Sequence, residues 1–210
     1  TNVNSLPDVV FARPDQYVGV TTYTGNGGTQ SIDVGLEPDF VWYKSRGGAA
    51  GGSHFLFDTV RDATKYLRSN STNAEGTYSN SLTAFTSNGF IVGDHSSTNY
   101  DNDPYVAWTW KAGGSKNTFN IDGEGYSTAA AAGITNLDGT DQLTTAKFTG
   151  CSIGTKQGFS IIKYIGMGGG NTYVPHGLTQ TPDMVIVKNL DETVDWAITH
   201  SGLPGNRSLR

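Results

Sequence analysis

Four histidines are the residues best suited to acid–base chemistry, and they are scattered along the chain at His54, His95, His176 and His200. A Ser-His-Asp hydrolase would need one of them beside an activated serine, yet no serine stands in a G-x-S-x-G turn. None of the histidines has the clustered partners that a zinc site requires. No catalytic residue is therefore predicted.

One loop gathers oxygen ligands that could hold Ca²⁺. The segment 94–105, DHSSTNYDNDPY, contains Asp94, Asp101 and Asp103, with two asparagines among them. Carboxylate and amide oxygens are the ligands that Ca²⁺ takes, but the EF-hand spacing is absent and such loops before proline are also plain turns. Both interpretations stay open, so calcium is the one candidate cofactor.

The remaining chemistry-bearing features favour structural roles. The single cysteine, Cys151, is expected to be an isolated thiol, and the glycine-rich runs TGNGGTQ and IGMGGGN fit no phosphate-binding pattern, so both are predicted as hairpin tips. Exposed Trp42, Trp108 and Trp110 could stack on sugars. In YVAWTWK, however, the alternation puts Trp108 and Trp110 on one face with Val106, and we predict that this face is core.

Composition excludes several classes of protein. The chain has 210 residues and a formal net charge of -5, with charged residues at 16% and no Lys/Arg cluster, which argues against nucleic-acid binding. No apolar stretch is long enough to insert in a membrane, and no signal peptide is visible. Aromatic residues at 11% together with 28 glycines are typical of short strands joined by tight loops, so an all-β fold is predicted.

The elements that would position these residues follow from local patterns. Strands are predicted at 17–24, 29–34, 39–45 and 105–111, and Asn88-Gly89 predicts a hairpin turn with positive φ. The only helical spacing lies in 58–70, DTVRDATKYLRSN, which is expected to form one short helix with Arg61, Lys65 and Arg68 along a side that is solvated or pairs with carboxylates.

Two stretches of the chain resemble each other. The segment from Val18, VGVTTYTGNGGTQSIDVGLEPDFVWYKSR, aligns with the segment from Phe159, FSIIKYIGMGGGNTYVPHGLTQTPDMVIVKN. Both insertions that the alignment needs fall in turns. The alignment pairs six residues: Tyr23 with Tyr164, Gly25 with Gly166, Gly35 with Gly177, Pro38 with Pro182, Asp39 with Asp183, and Lys44 with Lys188.

The repeat predicts the domain organisation. A leader covers residues 1–16, a first β-sandwich module 17–114, a linker with a hairpin of its own 115–157, and a second module 158–210. The second module lacks counterparts of the Asn88-Gly89 hairpin and of YVAWTWK, and such a module exposes apolar faces and open strand edges. We therefore expect that a longer polypeptide or another subunit supplies those strands.

Several sequence segments resemble those of a known family. They are YTGNGG, VGLEPDFVWYKSR, LFDTVRDATKYLRSNSTNAE, FTSNGFIVG, YVAWTWKAGG, NTFNIDGEGYSTAAAAG, GFSIIKYIGMGGG and VPHGL. Together they resemble tandem-repeat virion structural proteins, tail-fibre or appendage-like, of marine and cyanobacterial tailed phages. One departure is Asp62, where the resemblance implies glycine.

The resemblance implies tandem antiparallel β-sandwiches of the jelly-roll, concanavalin/laminin-G-like type, and a virion protein without catalytic residues. Its expected partners are copies of itself, with a trimer as one form, and other virion proteins. A glycan-binding, lectin-like module that contacts the host surface is the alternative function, and a polysaccharide depolymerase is the second alternative. Large contacts between subunits that bury Val18, Phe40, Trp108 and Trp110, without an open groove, would favour assembly. Exposed aromatics beside polar loops would favour glycan binding.

Overall fold

Strands are the main regular secondary structure of the chain, and the all-β prediction is confirmed. The computed structural model describes residues 13–48, 51–134, 146–166 and 174–203. Apart from a 3-10 turn at Pro14–Gln16, its one helix is α1 (Ser96–Asn99). The strands are β1 (Val18–Thr24), β2 (Gln30–Asp33), β3 (Phe40–Ser45), β4 (His54–Asp58), β5 (Asp62–Arg68), β6 (Gly76–Thr77), β7 (Leu82–Thr86), β8 (Gly89–Val92), β9 (Pro104–Trp110), β10 (Phe119–Ile121), β11 (Glu124–Tyr126), β12 (Ala146–Gly154), β13 (Phe159–Gly166), β14 (Met184–Val187) and β15 (Ala197–His200).

Two sheets of the first part form a sandwich. The large sheet has the order β1-β9-β3-β4-β5-β6, and the small sheet has the order β2-β8-β7. Their facing side chains bury Tyr43 and Phe57 completely. The full set of buried core residues is Ile32, Val41, Tyr43, Phe55, Phe57, Leu82, Phe90, Val92, Tyr105 and Ala107. All paired strands in the described ranges are antiparallel except β10 with β12.

The prediction of which β9 face is buried was wrong. Tyr105, Ala107 and Thr109 are fully buried, whereas the face with Trp108 and Trp110 is half-buried. Alternation separates the two faces of a strand but does not say which one turns inward. Here bulky Tyr43 of β3 lies opposite Ala107, so the small residue of β9 fits between large neighbours in the core.

The predicted helix at 58–70 is wrong as well. The chain turns at residues 59–61 and continues as β5, which pairs with β4 and buries Leu67. A buried ion pair of 2.5 Å between Arg61 and Asp58 closes the turn, so Arg61 does not lie on a solvated face but does pair with a carboxylate. The helical spacing of the apolar residues was coincidental, because strand pairing satisfies the backbone instead.

The structure confirms the hairpin predicted at Asn88-Gly89 and contradicts the one predicted at TGNGGTQ. β7 and β8 form the expected hairpin, but neither Asn88 nor Gly89 has positive φ. Gly89 is required by space, since a Cβ there would lie 1.9 Å from the Ile32 carbonyl oxygen. The TGNGGTQ run is not a hairpin tip, because it crosses from β1 in the large sheet to β2 in the small one. Most of the second glycine run, 167–171, lies outside the described residues.

The stretch predicted as a linker, 115–157, contains the expected hairpin, β10–β11, and also a long strand, β12. Together with β13 these strands form a four-stranded sheet of order β11-β10-β12-β13. It has its own apolar cluster of Phe119, Ile134, Phe148, Cys151 and Ile153. The predicted boundaries of the linker and of both modules stay predictions, and residues 1–12, 135–145 and 204–210 lie outside the described residues.

A separate hairpin, β14–β15, lies against the first sandwich. The indole N–H of Trp196 donates to the carbonyl oxygens of Arg68 and Ser71, at 3.2 and 2.9 Å. The backbone N–H of Glu75 donates to the carbonyl of Leu190 over 2.8 Å. In the described ranges, no helix is both long and apolar enough to cross a membrane.

Candidate functional site on the outer face of the large sheet

The side of the large sheet that faces away from the core is the candidate functional site. We call it the outer face and define it as Val18, Val20, Phe40, Trp42, Val106, Trp108 and Trp110. Strand register places these residues in rows across three strands. Val20 of β1 lies opposite Trp108, which lies opposite Trp42, and Val18 aligns with Trp110 and Phe40 in the same way.

The aromatic rings of the outer face hold one another in place. Trp42 and Trp108 meet edge to face with centroids 6.1 Å apart, and Phe40 meets Trp110 edge to face at 5.5 Å. Edge-to-face pairs of this kind each add about 0.5–1.5 kcal/mol beyond area burial. The rings therefore form a pre-ordered surface rather than a set of independent side chains.

His54 fixes the orientation of one tryptophan. The indole N–H of Trp42 donates to Nδ1 of His54 over 3.0 Å. Burial, and then the nearby Lys44 ammonium, lower the pKa of His54. Both effects favour the neutral imidazole, which is the form whose Nδ1 can accept this hydrogen bond. Sequence reasoning missed the pairing because it joins residues on neighbouring strands.

The outer face is open on its β1 side. Val20 is 64% exposed and Val18 41% exposed, and β1 is the edge strand of the sheet. Phe159 packs on the row that contains Val18, and its ring lies 6.0 Å from that of Phe40 and 6.2 Å from that of Trp110. A contiguous apolar surface next to an unpaired strand edge is typical of a contact surface for another molecule.

The structure does not bring the calcium candidates together. Asp94 accepts a hydrogen bond from the amide of Asn80 at 2.6 Å, and Asp103 is buried and accepts one from the Ser45 hydroxyl at 2.5 Å. Asp101 is exposed and accepts from its neighbour Asn102. Within the described ranges, no three His, Cys, Asp or Glu side chains are grouped to hold a metal ion.

A buried amide explains why the same loop is rich in asparagine. Asn99, at the end of α1, is fully buried and exchanges two hydrogen bonds of 2.9 Å with Asn26 in the TGNGGTQ loop. It also donates to the carbonyl oxygens of Gly28 and Gly93. The loop with the calcium candidates is therefore tied to the β1–β2 crossover by its amide groups, a structural role that the sequence did not reveal.

The four histidines, which are the residues best suited to acid–base chemistry, all have structural partners in the fold. In each of the four histidines Nδ1 accepts an N–H hydrogen bond: His54 from Trp42, His95 from Ser97, His176 from Leu178 and His200 from Gly202. Two open clefts of about 400 Å³ lie in the described part of the molecule. One contains Asp62 and the other Glu37 as its single carboxylate, so neither presents the carboxylate pair of a glycosidase.

Cys151 is buried in the second apolar cluster and forms no disulfide. Burial raises the pKa of its thiol. A buried thiol with a raised pKa is a poor nucleophile, so Cys151 acts as a small apolar residue of the core.

Comparison with known proteins identifies one family. A family model described as Domain of unknown function (DUF7483) matches residues 13–138 and, a second time, residues 128–209. The two matches together span nearly the whole chain and follow the order of the internal repeat. No curated protein and no solved structure matches the chain.

Proposed function

The chain belongs to the DUF7483 family, which it matches twice, and we propose that it is a non-enzymatic structural protein of a tailed-phage virion. Its place would be a tail fibre or a capsid or tail appendage. The sequence segments that resemble phage virion proteins, such as VGLEPDFVWYKSR and YVAWTWKAGG, support this assignment. The chain would act through assembly with copies of itself and with other virion proteins.

The main support for the proposal is the exposed apolar surface of the outer face. It combines ordered aromatic rings with exposed Val18 and Val20 on an edge strand. Burying such a face against another subunit would contribute about 25 cal/mol for each Å² of apolar surface. None of the seven outer-face residues is charged, and the cores of subunit interfaces are depleted of charged residues.

Sedimentation velocity over a range of concentrations tests this proposal. We expect oligomers in the unmodified chain and a monomer in Val20→Lys, because a partner subunit that covers the outer face would bury the lysine ammonium among apolar side chains. Ser79→Lys is the matched control, since Ser79 is exposed and lies away from the outer face. A monomer at every concentration in the unmodified chain, or oligomers that persist in Val20→Lys, would count against the proposal.

Glycan binding is the second candidate, because Trp108 and Trp110 are only half-buried. Aromatic rings on a protein surface can stack on the apolar faces of sugars. A glycan array probed with the unmodified chain and with Trp108→Phe separates the two functions. Binding that weakens in Trp108→Phe would favour recognition of the host surface, whereas no binding to any glycan would favour assembly alone.

A further inference from the structure

The hairpin β14–β15 repeats the hairpin β3–β4 of the first sandwich. Met184 lies opposite His200, as its counterpart Phe40 lies opposite Asp58. The Lys188 ammonium donates to the carbonyl of the next residue at 2.8 Å, as the Lys44 ammonium does at 2.9 Å. The two hairpins therefore have the same register.

An aspartate precedes each hairpin and makes the same two hydrogen bonds across it. The carbonyl oxygen of Asp39 accepts from the backbone N–H of Thr59 at 3.0 Å, and its Oδ1 accepts from the Thr59 hydroxyl at 3.1 Å. Asp183 accepts from the N–H and the hydroxyl of Ser201, each at 2.7 Å. Asp183 is thus the structural counterpart of Asp39.

The two aspartates differ in what binds the other carboxylate oxygen. Oδ2 of Asp39 accepts from the backbone N–H groups of Ala112 and Gly114, at 2.7 and 3.1 Å. Both belong to the segment that directly follows β9, and the N–H of Asp39 donates to the Trp110 carbonyl at 2.8 Å. None of the described residues donates a hydrogen bond to Oδ2 of Asp183.

The edge of β14 beside Asp183 likewise lacks a partner strand among the described residues. In the first sandwich β3 pairs with β4 on one side and β9 on the other, whereas β14 pairs with β15 alone among the described strands. The apolar side chains of β14 are also exposed, because none of them packs in either apolar cluster of the described residues. Val185 is 40% exposed where its counterpart Val41 is fully buried, and Ile186 is 49% exposed.

We propose that the free edge of β14, together with Asp183, binds a strand of the β9 type from a partner protein that is not a copy of this chain. The occupant is an extended segment with alternating large and small residues, followed by small residues whose N–H groups reach the Asp183 carboxylate, as in PYVAWTWKAGG. β9 of this chain cannot fill the place, because β1 and β3 already occupy both its edges. Strand addition of this kind gains affinity from backbone hydrogen bonds and specificity from side chains.

The proposal does not depend on the outer face, and a synthetic peptide tests it. Fluorescein-labelled peptide with the sequence of residues 104–115 is titrated with the full chain, and fluorescence anisotropy reports binding. We expect saturable binding by the unmodified chain and about tenfold or greater weakening in Asp183→Ala. Two hydrogen bonds to a carboxylate stabilise by more than the 1.4 kcal/mol that a tenfold change represents.

Three controls make the result specific. Asp191→Ala removes an exposed carboxylate from the same hairpin and should leave binding unchanged. Ser201→Ala removes only the bond within the hairpin and should also bind, which separates loss of the peptide contact from loss of the hairpin. A peptide of scrambled sequence should not bind.

Other outcomes would overturn the proposal. One is an absence of saturable binding, and another is equal affinity in Asp183→Ala. A third is self-association of the chain that Asp183→Ala abolishes, because a second copy would then be the occupant. Since Val20→Lys leaves β14 unchanged, a failure of assembly through the outer face would not affect this result.

Discussion

Trp42 donates its indole N–H to Nδ1 of His54 across two neighbouring strands, at 3.0 Å. His95 is used in a similar way, since its Nδ1 accepts the backbone N–H of Ser97 at the start of α1. Burial lowers the pKa of both imidazoles from the ordinary value of 6.5. Each histidine is therefore held as a neutral acceptor in the folded protein.

The folded protein should lose stability on acidification. Below pH 6.5 the unfolded chain binds protons at His54 and His95 that the folded chain, with lower pKa values, does not. The free energy of unfolding therefore falls as the pH drops through 6.5, until the folded histidines also titrate. Thermal denaturation at about pH 8 and about pH 5.5 measures this loss, which we expect as a lower Tm at the acidic pH.

A double variant, His54→Asn with His95→Asn, provides the control. Asparagine at position 95 can still accept the Ser97 N–H, because it is a good N-cap residue, but it does not titrate. The difference in Tm between the two pH values should be smaller in this variant. An unchanged difference would assign the acid sensitivity to other groups.

Asp62→Gly should stabilise the protein. Asp62 has φ of +94°, a backbone conformation that glycine adopts freely and other residues rarely do. Removing that strain should raise the free energy of unfolding by about 1 kcal/mol, measured by urea denaturation. Asp62→Ala, which keeps a Cβ, should give no such gain. A lower stability in Asp62→Gly would contradict this account of the turn.

Arg61→Ala should destabilise the first sandwich strongly. The Arg61 and Asp58 side chains are each 6% exposed, and Arg61 also donates to the Leu56 carbonyl at 3.1 Å. Arg61→Ala leaves the buried Asp58 carboxylate with two backbone N–H donors but no cation, and breaking a buried ion pair costs about 3–5 kcal/mol. Lys65→Ala is the matched control, because Lys65 is 38% exposed and lies 3.9 Å from Glu75.

Urea denaturation of both variants measures the contrast. Lys65→Ala should cost less than about 1 kcal/mol, as exposed ion pairs do. Similar losses in the two variants would contradict the structural role assigned to the buried pair.

Cys151 should not react with Ellman's reagent in the folded protein. Its thiol is fully buried, and burial raises its pKa, so both access and thiolate content are low. Addition of denaturant should release one equivalent of reactive thiol. Rapid labelling of the native protein would show that the second apolar cluster opens readily.

Much of the fold could be predicted from the sequence, because strand length and alternation are local properties. The all-β class and strands β1, β2, β3 and β9 followed from such patterns. Which face of β9 is buried could not be predicted, since it depends on the β3 residues that lie opposite Ala107 and Thr109 in the folded sheet. For the same reason Trp108 and Trp110 were expected in the core and lie instead on the outer face.

The helix prediction failed for a related reason. Tyr66 and Leu67 fit helical spacing, but pairing of β5 with β4 and the ion pair of Arg61 determine the conformation, and neither is visible locally. Asp39 and Asp183 were aligned by the repeat, but their hydrogen bonds across each hairpin could be seen only in three dimensions. The sequence thus predicted that Asp183 is the counterpart of Asp39, but not the hydrogen bonds that either residue makes.

Burial of the outer-face tryptophans on assembly tests the central claim most directly. Acrylamide quenching of tryptophan fluorescence is measured over a range of protein concentrations, for the unmodified chain and for Val20→Lys. We predict that quenching decreases as the unmodified chain assembles and stays constant in Val20→Lys, because Trp108 lies directly opposite Val20. Quenching that stays constant while the unmodified chain forms oligomers would contradict the claim that the outer face is the assembly surface.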